Sequence, residues 1–257
     1  MNRDLFDFEV ARASFAVRNR GPWVTLEYDF LEGLSCGQTT ALGDGSGCGF
    51  KEPSLRDNFF AYFPGVNYHQ PRQVHGAELE FVRKPASACY PATDGLVSEL
   101  TSTALTVLTA DCLPVFIVET PVRPDSRFAL VHAGWRGLEK NIVGRVIEEY
   151  FAGCALQVVV GAHIHQNSYR VDDEVVGKFS RRLNYSRGKL EEMGIVSGDD
   201  KLDLFGILGL LLSEVPAEVR SVHRLDMDTA GNDLIPLISY RQDNTDQRML
   251  NWIFKEE

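Results

Sequence analysis

The sequence predicts a mixed α/β fold in a single domain over residues 1–257, on three observations. Short β-branched, apolar runs such as 104–108 and 128–131 read as buried strands. Apolar residues elsewhere recur at helical spacing, as Leu138, Ile142, Val146 and Tyr150 do, with Val143 and Ile147 beside them. No polar linker, internal repeat, heptad or low-complexity run divides the 257 residues, and their 44% apolar content can fill a large core.

In chain order, a strand pair is expected at 15–17 and 23–28, joined through the turn formers Asn19, Arg20, Gly21 and Pro22. The glycine-rich stretch 33–50 has no apolar period and reads as a surface loop, either a flexible excursion or a lid over a site. A helix end falls at 58–63 before Pro64 and Gly65, and a turn holding His75 precedes a strand at 78–82. Asp94 reads as the cap of a turn that leads into Leu96 and Val97. Beyond residue 150, strands are expected at 157–160 and 221–225 and helices at 175–183 and 204–212. The segment from Leu237 through Tyr240 and Arg241 to Met249 reads as a return to strand, with an apolar tail at 251–254 that docks. Beyond strand 157–160, alternation sets His163 and His165 on one face, as ligands or as polar decoration.

Charge and cysteine use limit the function. A net charge of -10 and a pI near 5.1 argue against a non-specific nucleic-acid or anionic-membrane binder. The first ten residues carry acids where a secretory signal needs an apolar core, and the longest apolar run, 204–212, is too short to span a bilayer. Five cysteines, scattered and without a C-x-x-C pair, fit a reducing compartment, so the chain reads as cytoplasmic.

The chemistry concentrates in 104–150. Strand 104–108 delivers Asp111 and Cys112 just before Pro114, and strand 128–131 delivers His132. The glycine turn Ala133–Gly137 then leads into a helix, whose free N–H groups, with Arg136 beside them, can hold an anion. Gly134, Gly137 and Arg136 are therefore candidate anion binders, with Arg241 a weaker one, and Tyr240 or Tyr169 can line a pocket. Asp111 serves either as a base or as the group that orients a ligand.

The ordered motifs QVHG at 73–76, TDGLV at 93–97, LTADCLPV at 108–115, HAGWRG at 132–137 and SYR at 239–241 resemble those of the YfiH-like family. Its members carry laccase-domain or multicopper polyphenol oxidase names and have been associated with purine nucleoside phosphorylase and adenosine deaminase activity. The resemblance implies layered sheets and helices similar to the cytotoxic necrotizing factor catalytic fold. It also implies a metal site on His75, Cys112 and His132. A thiolate and two neutral imidazoles suit zinc, with copper the alternative, and three protein ligands leave a fourth position for water. The substrates implied are a purine nucleoside, whether adenosine, inosine or methylthioadenosine, and phosphate.

Three readings stay open from sequence: a zinc enzyme on purine nucleosides, a cysteine hydrolase or deamidase using Cys112 with His132 as base, and a degenerate metal-binding protein without turnover. Multicopper oxidation needs roughly ten histidines by the ligand preferences of copper, and the chain has six. The family pattern is broken at Asn58-Phe59, at Asn167-Ser168, at Asp228, at Asp246-Gln247 and in 33–50.

Overall fold

β-branched and aromatic runs fill two seven-stranded sheets, seen in a computed structural model that describes residues 6, 8–28, 33–43, 50, 52–231 and 234–256. The first sheet contains β1 (Glu9–Arg12), β6 (Leu79–Phe81), β8 (Gly95–Ser98), β10 (Leu113–Glu119), β11 (Phe128–Ala133), β12 (Ala155–Val160) and β13 (Glu218–Arg224). Its spatial order is β1-β13-β12-β10-β11-β8-β6. The second contains β2 (Ala16–Arg20), β3 (Trp23–Glu27), β4 (Leu34–Gly43), β5 (Asn67–Pro71), β7 (Ala88–Tyr90), β9 (Thr103–Thr109) and β14 (Met249–Lys255), ordered β2-β3-β4-β14-β9-β5-β7. Both mix parallel and antiparallel pairs.

The sheets pack face to face because their strands are apolar on both sides. Leu26, Cys36, Leu105, Val107 and Ile253 of the second sheet meet Leu96, Phe116, Leu130 and Val159 of the first in one core. The other face of the first sheet, with Val115, Ile117, Val131 and Val158, is covered by helices. These are α2 (Trp135–Glu139), α3 (Ile142–Tyr150), α4 (Asp173–Leu183), α5 (Arg187–Glu192) and α6 (Leu204–Leu212). On the far side of the second sheet, α1 (Pro53–Phe60) packs Phe59 and Phe60 onto Trp23, Trp252 and Phe254. The expected layered α/β fold is what forms.

Four local expectations are corrected. Residues 34–43 of the expected surface loop form the long strand β4. Its polar side chains are buried yet bonded: the Thr40 hydroxyl donates to the Val24 carbonyl, Thr39 Oγ1 accepts from the Leu250 N–H, and the Gln38 amide oxygen accepts from the Ala162 N–H. The rest of that expectation, at 44–49, lies outside the described residues. Tyr240 and Arg241 open a short helix, α7 (Tyr240–Asp243), because the Ser239 hydroxyl accepts from the Gln242 N–H and caps it. The tail at 251–254 does more than dock: β14 lies between β4 and β9 in mid-sheet. Trp135–Gly137 is already helical rather than turn, and the expected single helix is broken at Asn141, which takes φ 59.

Gly37 sits in β4 at φ/ψ open to any residue, but an added Cβ would stand 2.5 Å from the Leu26 carbonyl oxygen and 2.7 Å from the Trp252 ring. Replacing Gly37 with Ala is expected to cost about 1–3 kcal/mol by overpacking, measured as a lowered denaturant midpoint at unchanged m-value.

Candidate metal centre

Three segments deliver the cluster. β10 and β11 pair antiparallel with Pro114 opposite His132, which brings Cys112, at the mouth of β10, beside the imidazole. His75 arrives from the turn between β5 and β6, where it takes φ 57, a conformation costing a non-glycine residue about 1–3 kcal/mol. The His75 and His132 ring centroids lie 4.8 Å apart at 82°. The ligating atoms of His75, Cys112 and His132 all fall within 4.8 Å of one another, the one such group among the described residues. Tetrahedral zinc on sulfur and nitrogen sets its ligand atoms about 3.3–3.8 Å apart, so these side chains fit the ion with small movement.

Asp94, read from sequence as a turn cap, holds this arrangement together. It is fully buried. Its Oδ1 accepts from the His75 N–H at 3.0 Å and lies 2.8 Å from His132 Nδ1, while Oδ2 accepts from Val74 N–H at 3.1 Å and Gly76 N–H at 2.7 Å. Its carbonyl oxygen accepts from the His132 N–H at 2.8 Å. Burial opposes ionisation of Asp94, but the bonds from His132 and from the Gly76 and Val74 N–H groups outweigh it and keep the carboxyl below its usual range.

Burial pushes the Cys112 thiol up, and the charge of His132 with hydrogen bonds from His132 and His75 more than reverses this, bringing it to about 6. Burial pushes His132 down, and Cys112 and Asp94 pull it up to about 9. Without metal the two form a thiolate and an imidazolium that share one proton between those values.

The remaining candidates divide. Both carboxylate oxygens of Asp111, a residue at φ 90, are engaged: Oδ1 accepts from the Thr229 hydroxyl and Oδ2 from the Arg241 N–H, each at 2.7 Å. Asp111 thus ties α7 and the Thr229 loop to the end of β9. Tyr169 is buried beside Cys112; burial first, then the negative charge at Cys112, push its hydroxyl up, against the pull of Arg241. The Arg241 guanidinium lies 4.9 Å from the Tyr169 ring and donates to the Arg170 carbonyl. Arg136 is exposed, stacks 4.4 Å over Trp135, and also acts on Tyr169 through its charge. Tyr240 is half exposed, with Arg248 at 5.6 Å from its ring.

Gly134 and Gly137 allow close approach. A Cβ on Gly134 would stand 2.9 Å from Cys112 Sγ and 3.2 Å from the His75 ring, and one on Gly137 would stand 3.2 Å from the Gly76 carbonyl oxygen. The helix that Gly134 caps, α2, has five residues, too few to build much of a dipole, so an anion here depends on the arginines.

His163 and His165 do meet, with ring centroids 5.1 Å apart, although β12 ends before them. Burial, then the charge of Arg224, lowers both imidazoles, His165 to about 4, and that charge also opposes a cation. No third ligand among the described residues joins them.

Comparison with known proteins sets this cluster in context. The chain is 27% identical over 198 residues to a purine nucleoside phosphorylase of Mycobacterium bovis, covering 75% of this chain and 74% of that one. It is 33% identical over 124 residues to a purine nucleoside phosphorylase of Xylella fastidiosa, a match spanning 44% of this chain and only 45% of the relative's length. An adenosine deaminase, RL5, from an unknown prokaryotic organism is 31% identical over 146 residues, 52% of this chain and 54% of that one. Among solved structures, a YfiH protein of Bacillus licheniformis superposes with a TM-score of 0.74 at 21% identity, covering 93% of this chain and 99% of that one. YlmD of Geobacillus stearothermophilus does so with a TM-score of 0.71 at 23% identity, covering 95% and 100%. Residues 56–256, the stretch that carries His75, Cys112 and His132, match the family described as multi-copper polyphenol oxidoreductase laccase, and the chain belongs to that YfiH-like family.

Proposed function

We propose that the protein is a zinc-dependent purine nucleoside phosphorylase with adenosine deaminase-type activity. The observation that carries this reading is the thiolate and two imidazoles with ligating atoms within 4.8 Å. The names borne by the Mycobacterium bovis relative and by RL5 support the substrate class. A single site of three ligands leaves four of the six histidines outside it, which supports a mononuclear centre rather than multicopper oxidation.

When bound, a zinc ion on these ligands would supply Lewis acidity and a water of near-neutral pKa. The chain's own residues do the rest. Arg136 and Arg241 orient phosphate for attack at the anomeric carbon as the bond to the purine nitrogen breaks. Tyr169, kept protonated by its burial, takes the role of proton donor to the substrate in this proposal. Asp111 orients Arg241 through its backbone N–H.

A cysteine hydrolase is the second reading. Asp94, His132 and Cys112 stand in the order of an orienting acid, a base and a nucleophile, and the thiol lies at about 6. Metal content of the purified chain separates the two readings, because a bound ion would quench the nucleophile.

The deciding experiment gives zinc-loaded protein adenosine, inosine and methylthioadenosine with and without phosphate and follows products by chromatography. Free base that appears only with phosphate is expected, together with inosine from adenosine in its absence; no product from any of the three would end the proposal. Arg136→Gln should raise the KM for phosphate roughly tenfold or more, the loss of a charge-assisted hydrogen bond, and leave phosphate-independent inosine formation unchanged. Zinc binding should displace the protons held by Cys112 and His132, so affinity rises with pH most steeply below about 6, where two must leave, less steeply from there to about 9, where one must, and levels off above. Calorimetry in buffers of different ionisation enthalpy should count one proton released by this pair at pH 7.5.

A further inference from the structure

We infer that Asp94 is the positioning residue that makes two histidines, 57 positions apart in sequence, into one ligand set. The inference rests on the reading of His75, Cys112 and His132 as metal ligands, and it concerns how the chain prepares them.

Among the described residues the Asp94 carboxylate has four hydrogen-bonding partners, all of them N–H groups, two on each oxygen. Three are successive backbone N–H groups, from Val74, His75 and Gly76, so the carboxylate fills a small nest of amides and fixes a turn in which His75 holds φ 57. The fourth is Nδ1 of His132. An ionised carboxylate only accepts, so Nδ1 keeps its hydrogen and Nε2 is the nitrogen whose lone pair faces a ligand once the proton shared with Cys112 has left. Oδ1 serves both histidines at once, through the His75 backbone and the His132 ring. Any movement of this oxygen therefore displaces both ligands together.

Asparagine has nearly the same volume and the wrong pattern. With its oxygen toward Val74 and Gly76, its NH2 group faces two donors, the His75 N–H and His132 Nδ1–H. To relieve this, the imidazole must keep its hydrogen on Nε2 instead, which removes the lone pair the metal needs. With the amide flipped, the Val74 and Gly76 N–H groups lose their acceptor and the His75 turn is released.

The test compares wild type, Asp94→Asn and Gly37→Ala. Zinc affinity is measured by competition with a chelating dye, and hydrogen exchange at the Val74, His75 and Gly76 amides is measured in zinc-free protein. Asp94→Asn is expected to weaken zinc binding roughly 10- to 100-fold at unchanged stoichiometry and to speed exchange at those three amides. Gly37→Ala should lower thermal stability and leave zinc affinity unmoved, which separates positioning from general destabilisation. Asp94→Ser, which admits water to the vacated nest, takes the place of the asparagine variant if that chain does not fold. Wild-type zinc affinity and wild-type exchange in the Asp94 variant would overturn the inference. A wild-type chain that takes up no zinc would overturn the ligand reading instead, and unchanged protection at the three amides would then still count against the clamp.

Discussion

The pairing register of β10 with β11 is the constraint on which the site depends. Leu113 stands opposite Ala133 and Pro114 opposite His132, and both strands are buried on each face, against the second sheet on one side and helices on the other. A slip of one residue would exchange the two faces of a strand, sending Val131 and Leu130 into the wrong core and moving His132 away from Cys112. The apolar packing that holds the fold thus also sets the thiol and the imidazole side by side. Nearly every side chain of the two strands is dedicated to this, which leaves the chemistry to residues just beyond their ends.

How much of this was legible in the sequence depended on the range of the interactions. Cys112 and His132 were readable because each follows an apolar run that can only be a buried strand. His75 was not, since a histidine in a turn carries no local pattern, and only the family motif pointed to it. Asp94 went unrecognised for a related reason: its partners lie about twenty and about forty residues away, at Val74 to Gly76 and at His132, and no local pattern encodes that meeting. α7 carries a local signal, Ser239 followed three residues later by Gln242, the spacing of a capping box. β4 misled in the opposite sense, because Gly37, Gln38, Thr39 and Thr40 look like loop residues until their buried partners are known.

Two residues that depart from the family pattern, Ser168 and Asp228, meet in the fold. The Ser168 hydroxyl donates to Asp228 Oδ2 at 2.6 Å. Asp228 Oδ1 accepts in turn from the His165 and Ala230 N–H groups. This hydrogen bond ties the 3-10 turn at Gln166–Ser168 to the Thr229 loop. Through Thr229 and Asp111 that tie reaches the segment carrying Cys112, behind the candidate metal centre.

β14 has a consequence for how the chain comes together. It joins β4 and β9, and its Leu250 N–H reaches Thr39 Oγ1 across 211 residues of sequence. Pairing over such separations is rewarded only after a very large loop has closed, which places the molecule among slow-folding topologies. Until β14 arrives, the facing margins of β4 and β9 are bare rows of amide and carbonyl groups, the surfaces on which a nascent chain is most open to capture by a chaperone or by another copy of itself.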